Sequence, residues 1–114
     1  MGECLFCKMV VGEIEPDIVY EDDDVLAFRD IQPQAPFHVL VIPRKHIPTI
    51  NDIGEDDETL VGRLFGVAAK LASDAGIAES GFRTVMNCNG DALQTVFHIH
   101  LHVIGGRKLN WPPG

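Results

Sequence analysis

Histidine and apolar side chains alternate in the stretch Phe97-His98-Ile99-His100-Leu101-His102-Val103. A period of two is typical of a half-buried β-strand, in which successive side chains point to opposite faces. The three imidazoles are therefore predicted to share one face, with neighbours about 7 Å apart, since each residue adds ~3.3 Å. The apolar residues between them are predicted to face the core.

Three interpretations of these histidines are open from the residues alone. The first is a polar strand face that uses histidine where threonine or serine would serve as well. The second is a three-histidine metal site, although a catalytic zinc site also needs an open coordination position and supporting partners. The third is nucleophilic catalysis, in which one imidazole attacks a substrate and its neighbours fix its tautomer and orientation.

The composition suits a single domain over residues 1–114, because 46% of the residues are hydrophobic and can form a core. No apolar run reaches the length of a membrane span, and the N-terminus lacks the features of a signal peptide. We therefore expect a cytoplasmic protein without a membrane partner. The net charge of −8 disfavours binding to nucleic acid, and an anionic small ligand would need a local pocket.

The remaining sequence predicts four further strands and two helices. Apolar residues recur at helical spacing over residues 4–11, and a long helix with one apolar stripe is expected over residues 56–75, ending before Gly76. The strands are expected at residues 17–20, 25–29, 38–43 and 82–88. Because helices and strands segregate, the predicted class is α+β, with a five-stranded antiparallel sheet in meander order. An edge strand or a helix face paired across a two-fold axis would cover the exposed sheet edges.

Cys4 and Cys7 form a C-x-x-C motif whose role the residues leave open. A thioredoxin-type redox motif follows a strand and begins a helix, and no strand fits before Cys4. Two buried structural thiols are one interpretation. Half of a zinc site is the other, and it needs two more sulfur or nitrogen ligands from elsewhere in the chain.

The histidine stretch resembles the signature of the histidine triad (HIT) family, His-φ-His-φ-His-φ-φ with φ apolar. Four other segments resemble the Hint branch of that family, the nucleoside phosphoramidases, in the same order along the chain. They are Ala27-Phe28-Arg29-Asp30-Ile31, Pro33-Gln34-Ala35-Pro36, His38-Val39-Leu40-Val41-Ile42-Pro43 and Asn110-Trp111-Pro112-Pro113-Gly114. The resemblance implies a HIT-like fold, a homodimer, and hydrolysis of the P–N bond of purine nucleoside 5′-phosphoramidates. The reaction implied passes through a covalent nucleotidyl-histidine and releases AMP or GMP.

The resemblance also implies a role for each site residue. His100 is expected to attack phosphorus, His102 to hydrogen-bond a phosphate oxygen, and His38 to lie near His100 and help fix its orientation. A backbone carbonyl after the triad strand is expected to hold the other nitrogen of His100. The substrate-binding residues are expected to be Asp30 on the ribose hydroxyls, Ile31 against the base or sugar, Asn87, Gln94 and Thr95 as phosphate donors, and Trp111 near the active site of the other subunit.

Two features depart from the Hint pattern. That pattern has Gly-Gln-Ser before the triad strand, where this chain has Leu93-Gln94-Thr95. Threonine keeps the hydroxyl, but leucine replaces a glycine suited to positive φ or to close backbone approach. The other departure is the C-x-x-C motif, which other branches of the family pair with two histidines in a structural zinc site. The matching residues here are Cys4, Cys7, His46 and His98, and no cofactor is implied for catalysis.

Two other functions remain open on the sequence. One is hydrolysis of dinucleotide polyphosphates, as in the neighbouring Fhit-like branch, which the Trp-Pro-Pro-Gly tail disfavours. The other is a regulatory module that binds a purine nucleotide without useful turnover, which the intact His100 disfavours.

Overall fold

Residues 4–114 are described by the computed structural model, so residues 1–3 of the predicted single domain lie outside the described residues. The fold is the predicted α+β class, a five-stranded antiparallel sheet with one long and one short helix. The helices are α1 (Leu5–Val10) and α2 (Glu58–Asp74). The strands are β1 (Ile18–Glu21), β2 (Val25–Arg29), β3 (Phe37–Pro43), β4 (Phe82–Val85) and β5 (Leu101–Gly105).

The strand order is β1-β2-β3-β5-β4, so the predicted meander is wrong in its second half. A short turn after β3 would have placed β4 beside it, but the connection contains α2 and releases the chain from that constraint. α2 carries the chain over the sheet to its far edge, where β4 forms. β5 then lies between β3 and β4 and pairs with both. The histidine stretch thereby leads into an interior strand.

Only part of the histidine stretch is strand, because β5 begins at Leu101. His98 and His100 precede it, yet the alternation of faces continues through them. The apolar residues between the histidines lie in the core cluster beneath α2, whereas the ring of His100 packs against Phe6 on the opposite face. The prediction of faces from the period is therefore confirmed, and the prediction of the strand boundary is wrong.

Both faces of the sheet are covered by hydrophobic packing. The apolar stripe of α2 packs on one face and consists of Leu64, Val67, Ala68 and Leu71. On the other face Phe6 of α1 packs against Leu26, Phe28, Leu40 and Ile42. Full burial of one such side chain contributes about 1.5–3 kcal/mol. Among the described residues, no helix has both the length and the apolar character that crossing a bilayer requires.

The carboxylate of Asp22 organises the turn between β1 and β2. Its Oδ1 accepts the backbone N–H groups of Asp24 and Val25, each at 2.8 Å. Its Oδ2 accepts the Tyr20 hydroxyl at 2.7 Å and the guanidinium of Arg63 from α2. These hydrogen bonds, that from Tyr20 foremost, hold the pKa of the Asp22 carboxyl well below its usual range.

We expect Asp22→Ala to lower the free energy of unfolding by about 1–3 kcal/mol at neutral pH, because the donors lose their charged acceptor. A depressed folded-state pKa gives stability that is complete above the unfolded pKa of ~3.9 and is lost as pH falls toward the folded value. The difference between wild type and variant in urea unfolding should therefore shrink below about pH 4. Asp23→Ala, at an exposed position of the same turn, is the control. A difference that stays constant from neutral pH to about pH 3 would contradict this role of the charge.

Candidate active site

A cavity of about 500 Å³ opens on the face of the sheet that α1 covers, a volume typical of small-molecule sites. Its apolar wall includes Leu5, Phe6, Met9, Phe28 and Leu40. Its polar lining includes Asp30, Asn87, Thr95, His100 and His102. Five of the residues expected at the site thus line one cavity, and Ile31 joins them at its rim, where it is 95% exposed.

His100 lies at the buried floor of this cavity with one ring nitrogen already committed. Its Nδ1 lies 2.8 Å from the backbone carbonyl of His98. A carbonyl only accepts, so Nδ1 carries the hydrogen and Nε2 keeps its lone pair for a ligand. The carbonyl lies two residues before His100, so the expectation that it follows the triad strand is wrong. Burial lowers the pKa of His100, although the His98 carbonyl and Asp30 raise it.

His38 contacts His102 and not His100, as was expected. The backbone N–H of Gln34 donates to His38 Nδ1 at 3.0 Å, which puts the hydrogen of the neutral ring on Nε2. That Nε2 lies 2.9 Å from His102 Nδ1 and 3.4 Å from the carboxylate of Asp30. His102 Nδ1 accepts this hydrogen, so the Nε2 of His102 carries an N–H.

The register of β3 and β5 explains the contact between His38 and His102. His38 is paired with Ile104, so His102 is its diagonal neighbour on the same face, within reach of an imidazole ring. Burial foremost, together with the neighbouring imidazoles, lowers the pKa of His102 to about 4. Burial also lowers the pKa of His38, against the raising effect of Asp30. Both rings are therefore neutral at pH 7 in the free site.

The three triad histidines do not converge on one metal. Their Nδ1 atoms face different partners: a pair of cysteines for His98, a backbone carbonyl for His100, and the His38 ring for His102. Asp30, His38 and His102 do bring three ligand-type atoms within 4.8 Å. The Gln34 N–H occupies the Nδ1 lone pair of His38, however, so its Nε2 holds a hydrogen and has no lone pair for a metal. This cluster is a hydrogen-bond network.

Gln94 supports the site from behind and does not line the cavity. Its side chain is buried, with Nε2 donating to the carbonyls of Pro48 at 2.8 Å and Val96 at 3.1 Å. Its Oε1 accepts the backbone N–H of Asn89 at 2.8 Å, and its own N–H donates to the Asn89 carbonyl. All these groups are bonded within the protein, so the expected donation from Gln94 to phosphate is not supported by the structure.

The apolar wall was not identified from the sequence as part of the site. Phe6 and Met9 lie three residues apart on α1 and turn one face of this short helix to the cavity. Their spacing indicated a helix, but only the fold brings that helix against Phe28 and Leu40. An apolar helix face beside a C-x-x-C motif was the available signal.

Trp111 lies outside this cavity in its own subunit. It is 79% exposed, and the Arg83 guanidinium lies 5.8 Å from its ring centroid. It borders a neighbouring cavity of about 430 Å³, which shares Asn87 with the histidine cavity. The expected role of Trp111 in the other subunit stays a prediction.

Cys4, Cys7, His46 and His98 form a second cluster, with all four ligand-type atoms within 4.8 Å of one another. Cys7 Sγ lies 3.2 Å from His46 Nδ1 and 3.6 Å from His98 Nδ1. Cys4 Sγ lies 3.5 Å from His98 Nδ1, and the two Nδ1 atoms are 3.3 Å apart. Tetrahedral zinc with bonds of ~2.0 Å to nitrogen and ~2.3 Å to sulfur separates its ligands by roughly 3.3–3.8 Å. The cluster fits that geometry closely.

The hydrogen bonding of His98 also suits a metal ligand. Its Nε2 lies 2.7 Å from the carbonyl of Pro43, so Nε2 carries the hydrogen and the Nδ1 lone pair faces the two sulfurs. Such a partner fixes the tautomer and orientation of metal-binding histidines.

Comparisons with known proteins agree with this geometry. The family model described as HIT domain matches residues 11–109. The chain is 53% identical over 107 residues to a protein of Escherichia coli (strain K12) named purine nucleoside phosphoramidase, covering 94% of this chain and 90% of that protein. The crystal structure of a HIT family hydrolase from Legionella pneumophila superposes with a TM-score of 0.96 at 54% identity, covering 98% of this chain and all of that chain. A histidine triad protein from Clostridium difficile gives a TM-score of 0.93 at 43% identity, covering 96% of each chain. On these grounds the chain belongs to the HIT domain family.

Proposed function

We propose that the protein is a nucleotide hydrolase that cleaves the P–N bond of purine nucleoside 5′-phosphoramidates and releases AMP or GMP. The observation that carries the proposal is the fixed tautomer of His100, which offers Nε2 to a cavity large enough for a nucleotide. The name of the E. coli relative, at 53% identity, supports the same substrate class.

The first chemical step forms a bond between His100 Nε2 and the phosphorus, and breaks the bond from phosphorus to the leaving nitrogen. The Nδ1 hydrogen bond to the His98 carbonyl stabilises the positive charge that develops on the ring. An amine leaves readily only when protonated, so the leaving nitrogen must receive a proton. That proton comes from His102, whose protonated form the bound anionic phosphate favours.

The second step transfers the nucleotidyl group to water. The water oxygen bonds to phosphorus as the bond to His100 Nε2 breaks, and a proton from the water returns to His102. The nucleoside monophosphate is released, and both histidines regain their starting states. His38 holds the His102 ring in place throughout, through its 2.9 Å contact with Nδ1.

Asp30 is proposed to select a ribonucleoside. A carboxylate accepts hydrogen bonds from both ribose hydroxyls, and Asp30 lines the cavity close to the histidines. Phe6 and Phe28 offer an apolar wall to the base, while Asn87 and Thr95 supply side-chain donors for the phosphate oxygens. Catalysis then depends on positioning and charge stabilisation.

A structural zinc ion is proposed for the second cluster, bound by Cys4, Cys7, His46 and His98. Zinc in a closed tetrahedral site supplies no chemistry to the reaction and cross-links the chain. Here it would tie α1 to the segments before α2 and β5, which carry apolar and polar parts of the cavity lining.

Steady-state assays test the proposed function against its alternatives. We expect kcat/KM to be much higher for adenosine 5′-phosphoramidate than for diadenosine triphosphate. The reverse ranking would indicate a dinucleotide polyphosphate hydrolase. AMP binding without turnover of either compound would indicate a regulatory module.

A two-fold homodimer is proposed to form through α2 and the edge strand β4. Gly62 and Gly66 lie one helical turn apart on the exposed face of α2, and nothing lies within 4 Å of a Cβ built on either. Phe65, between them in sequence, is 49% exposed. Small residues beside an exposed aromatic ring allow two helices to approach closely. The four or so kilocalories that apolar contact of this kind contributes would be lost with a bulky charge at the same place.

We expect Gly66→Arg to give a monomer in sedimentation at micromolar concentration, with Lys70→Arg as the control. Deletion of residues 110–114 should leave the dimer intact but change kcat/KM unequally among phosphoramidates, because Trp111 is proposed to border the partner's site. An unaltered substrate ranking after the deletion would contradict this role of Trp111.

A further inference from the structure

The loop before the triad contains two residues with side chains in a backbone conformation that favours glycine. Asn89 has φ of 64° and Leu93 has φ of 62°. A residue with a Cβ meets steric opposition in this region, and leucine lacks the local side-chain hydrogen bonds that help asparagine. The turn from Gly90 to Ala92 joins the two positions.

Buried hydrogen bonds hold this loop in its shape. The Gln94 side chain accepts the Asn89 N–H at 2.8 Å, and the Gln94 backbone N–H donates to the Asn89 carbonyl at 3.1 Å. Gln94 is anchored in turn to the Pro48 carbonyl at 2.8 Å. The conformation of Leu93 is therefore imposed by its surroundings, since sparsely populated conformations persist where neighbouring structure determines them.

The Leu93 side chain does not stabilise the folded subunit by burial. It is 77% exposed, although leucine is among the residues most often found in cores. It lines the histidine cavity, on the same connection between β4 and β5 as Asn87 and Thr95. An apolar side chain thus occupies an unfavourable backbone position at the mouth of the cavity.

The direction of the reaction places the leaving group near this side chain. His100 lies at the cavity floor, 5% exposed, and attack from its Nε2 expels the leaving group on the opposite side of the phosphorus. That direction runs outward to the mouth. The exposed lining residues there are Leu93 and Thr95 from one connection and Ile31 beside the ribose-binding Asp30.

We propose that Leu93 is a specificity residue that contacts the leaving amine and favours amines with an apolar substituent. The inference rests on the proposed function and names the class of phosphoramidate that this chain selects. Contact with an apolar substituent removes part of the exposed leucine surface from water, which a polar amine does not reward.

Two variants separate the side chain from the backbone. Leu93→Gly removes the side chain and relieves the steric conflict, whereas Leu93→Ala removes most of the side chain and keeps the conflict. The substrates are adenosine 5′-phosphoramidates of 2-phenylethylamine and of ethanolamine, two primary amines of similar basicity. We expect the ratio of kcat/KM for the first over the second to fall by about 5- to 10-fold in both variants. Leu93→Gly should melt about 4 °C above Leu93→Ala.

Ile31→Ala is the matched control on the other side of the cavity mouth. It should alter the ratio between adenosine and uridine phosphoramidates of one amine and leave the ratio between the two amines unchanged. An amine ratio that stays at the wild-type value in both Leu93 variants would overturn the proposal and leave the proposed function standing. Wild-type protein that cleaves neither phosphoramidate would overturn both.

Discussion

Replacement of His100 by alanine is expected to lower kcat by about 10⁴–10⁶-fold, the usual cost of removing a nucleophile. No other imidazole in the described site has the same arrangement: His102 uses its Nδ1 to accept from His38, and His98 faces the cysteines. Binding of AMP should change little, because Asp30 and the apolar wall remain. Single-turnover kinetics and calorimetric titration with AMP measure the two effects separately.

The covalent intermediate provides a second readout for His100. Wild-type enzyme quenched in acetonitrile during turnover of adenosine 5′-phosphoramidate should gain the mass of one adenylyl group, and a peptide containing residues 98–102 should carry it. The His100→Ala protein should gain none. His38→Ala is the control that leaves the nucleophile in place, and it should be slower yet still adenylylated. Near-normal turnover by His100→Ala would exclude the mechanism.

Loss of one zinc ligand is expected to have the largest effect on stability. Protein purified without added metal should contain about one zinc per chain, and Cys7→Ser should contain none. A structural metal stabilises only the folded state, so its loss should cost several kcal/mol and lower Tm by roughly 10–20 °C. Metal analysis and thermal unfolding measure both quantities.

Cys88→Ser is the control for this prediction, because Cys88 is half-buried but lies outside the metal-type cluster. It should keep its zinc and its Tm. Metal-free wild-type protein of unchanged stability would return Cys4 and Cys7 to the interpretation of buried thiols. A chelator should lower Tm without stopping the chemical step at low temperature, since attack by His100 uses no metal.

Local sequence pattern predicted which faces the histidines occupy, because a core on one side of a sheet imposes the period of two on every residue that touches it. The start of β5 was not predictable in the same way. A strand begins where a partner is available, and the pairing with β3 begins only at Leu101, opposite Val41. The apolar alternation extends beyond that pairing and carries no information about where it ends.

The site residues that sequence reasoning misplaced depend on contacts between distant parts of the chain. His38 and His102 are 64 residues apart and meet because of strand register. Gln94 reaches Pro48, 46 residues away, and its buried position turns a candidate phosphate donor into a support. The sequence contains the chemical groups, but the strand order and the α2 connection decide which of them meet.

The interior position of β5 has a consequence for how the protein fluctuates. Local opening costs least at edge strands, termini and loops, and most where a strand is paired on both sides. β1, β4 and the C-terminal tail should therefore exchange their amide hydrogens first, and β5 last. The nucleophile directly precedes the segment that opens last, so the chain can breathe at its periphery, where substrates enter, without disturbing the alignment of the reacting nitrogen.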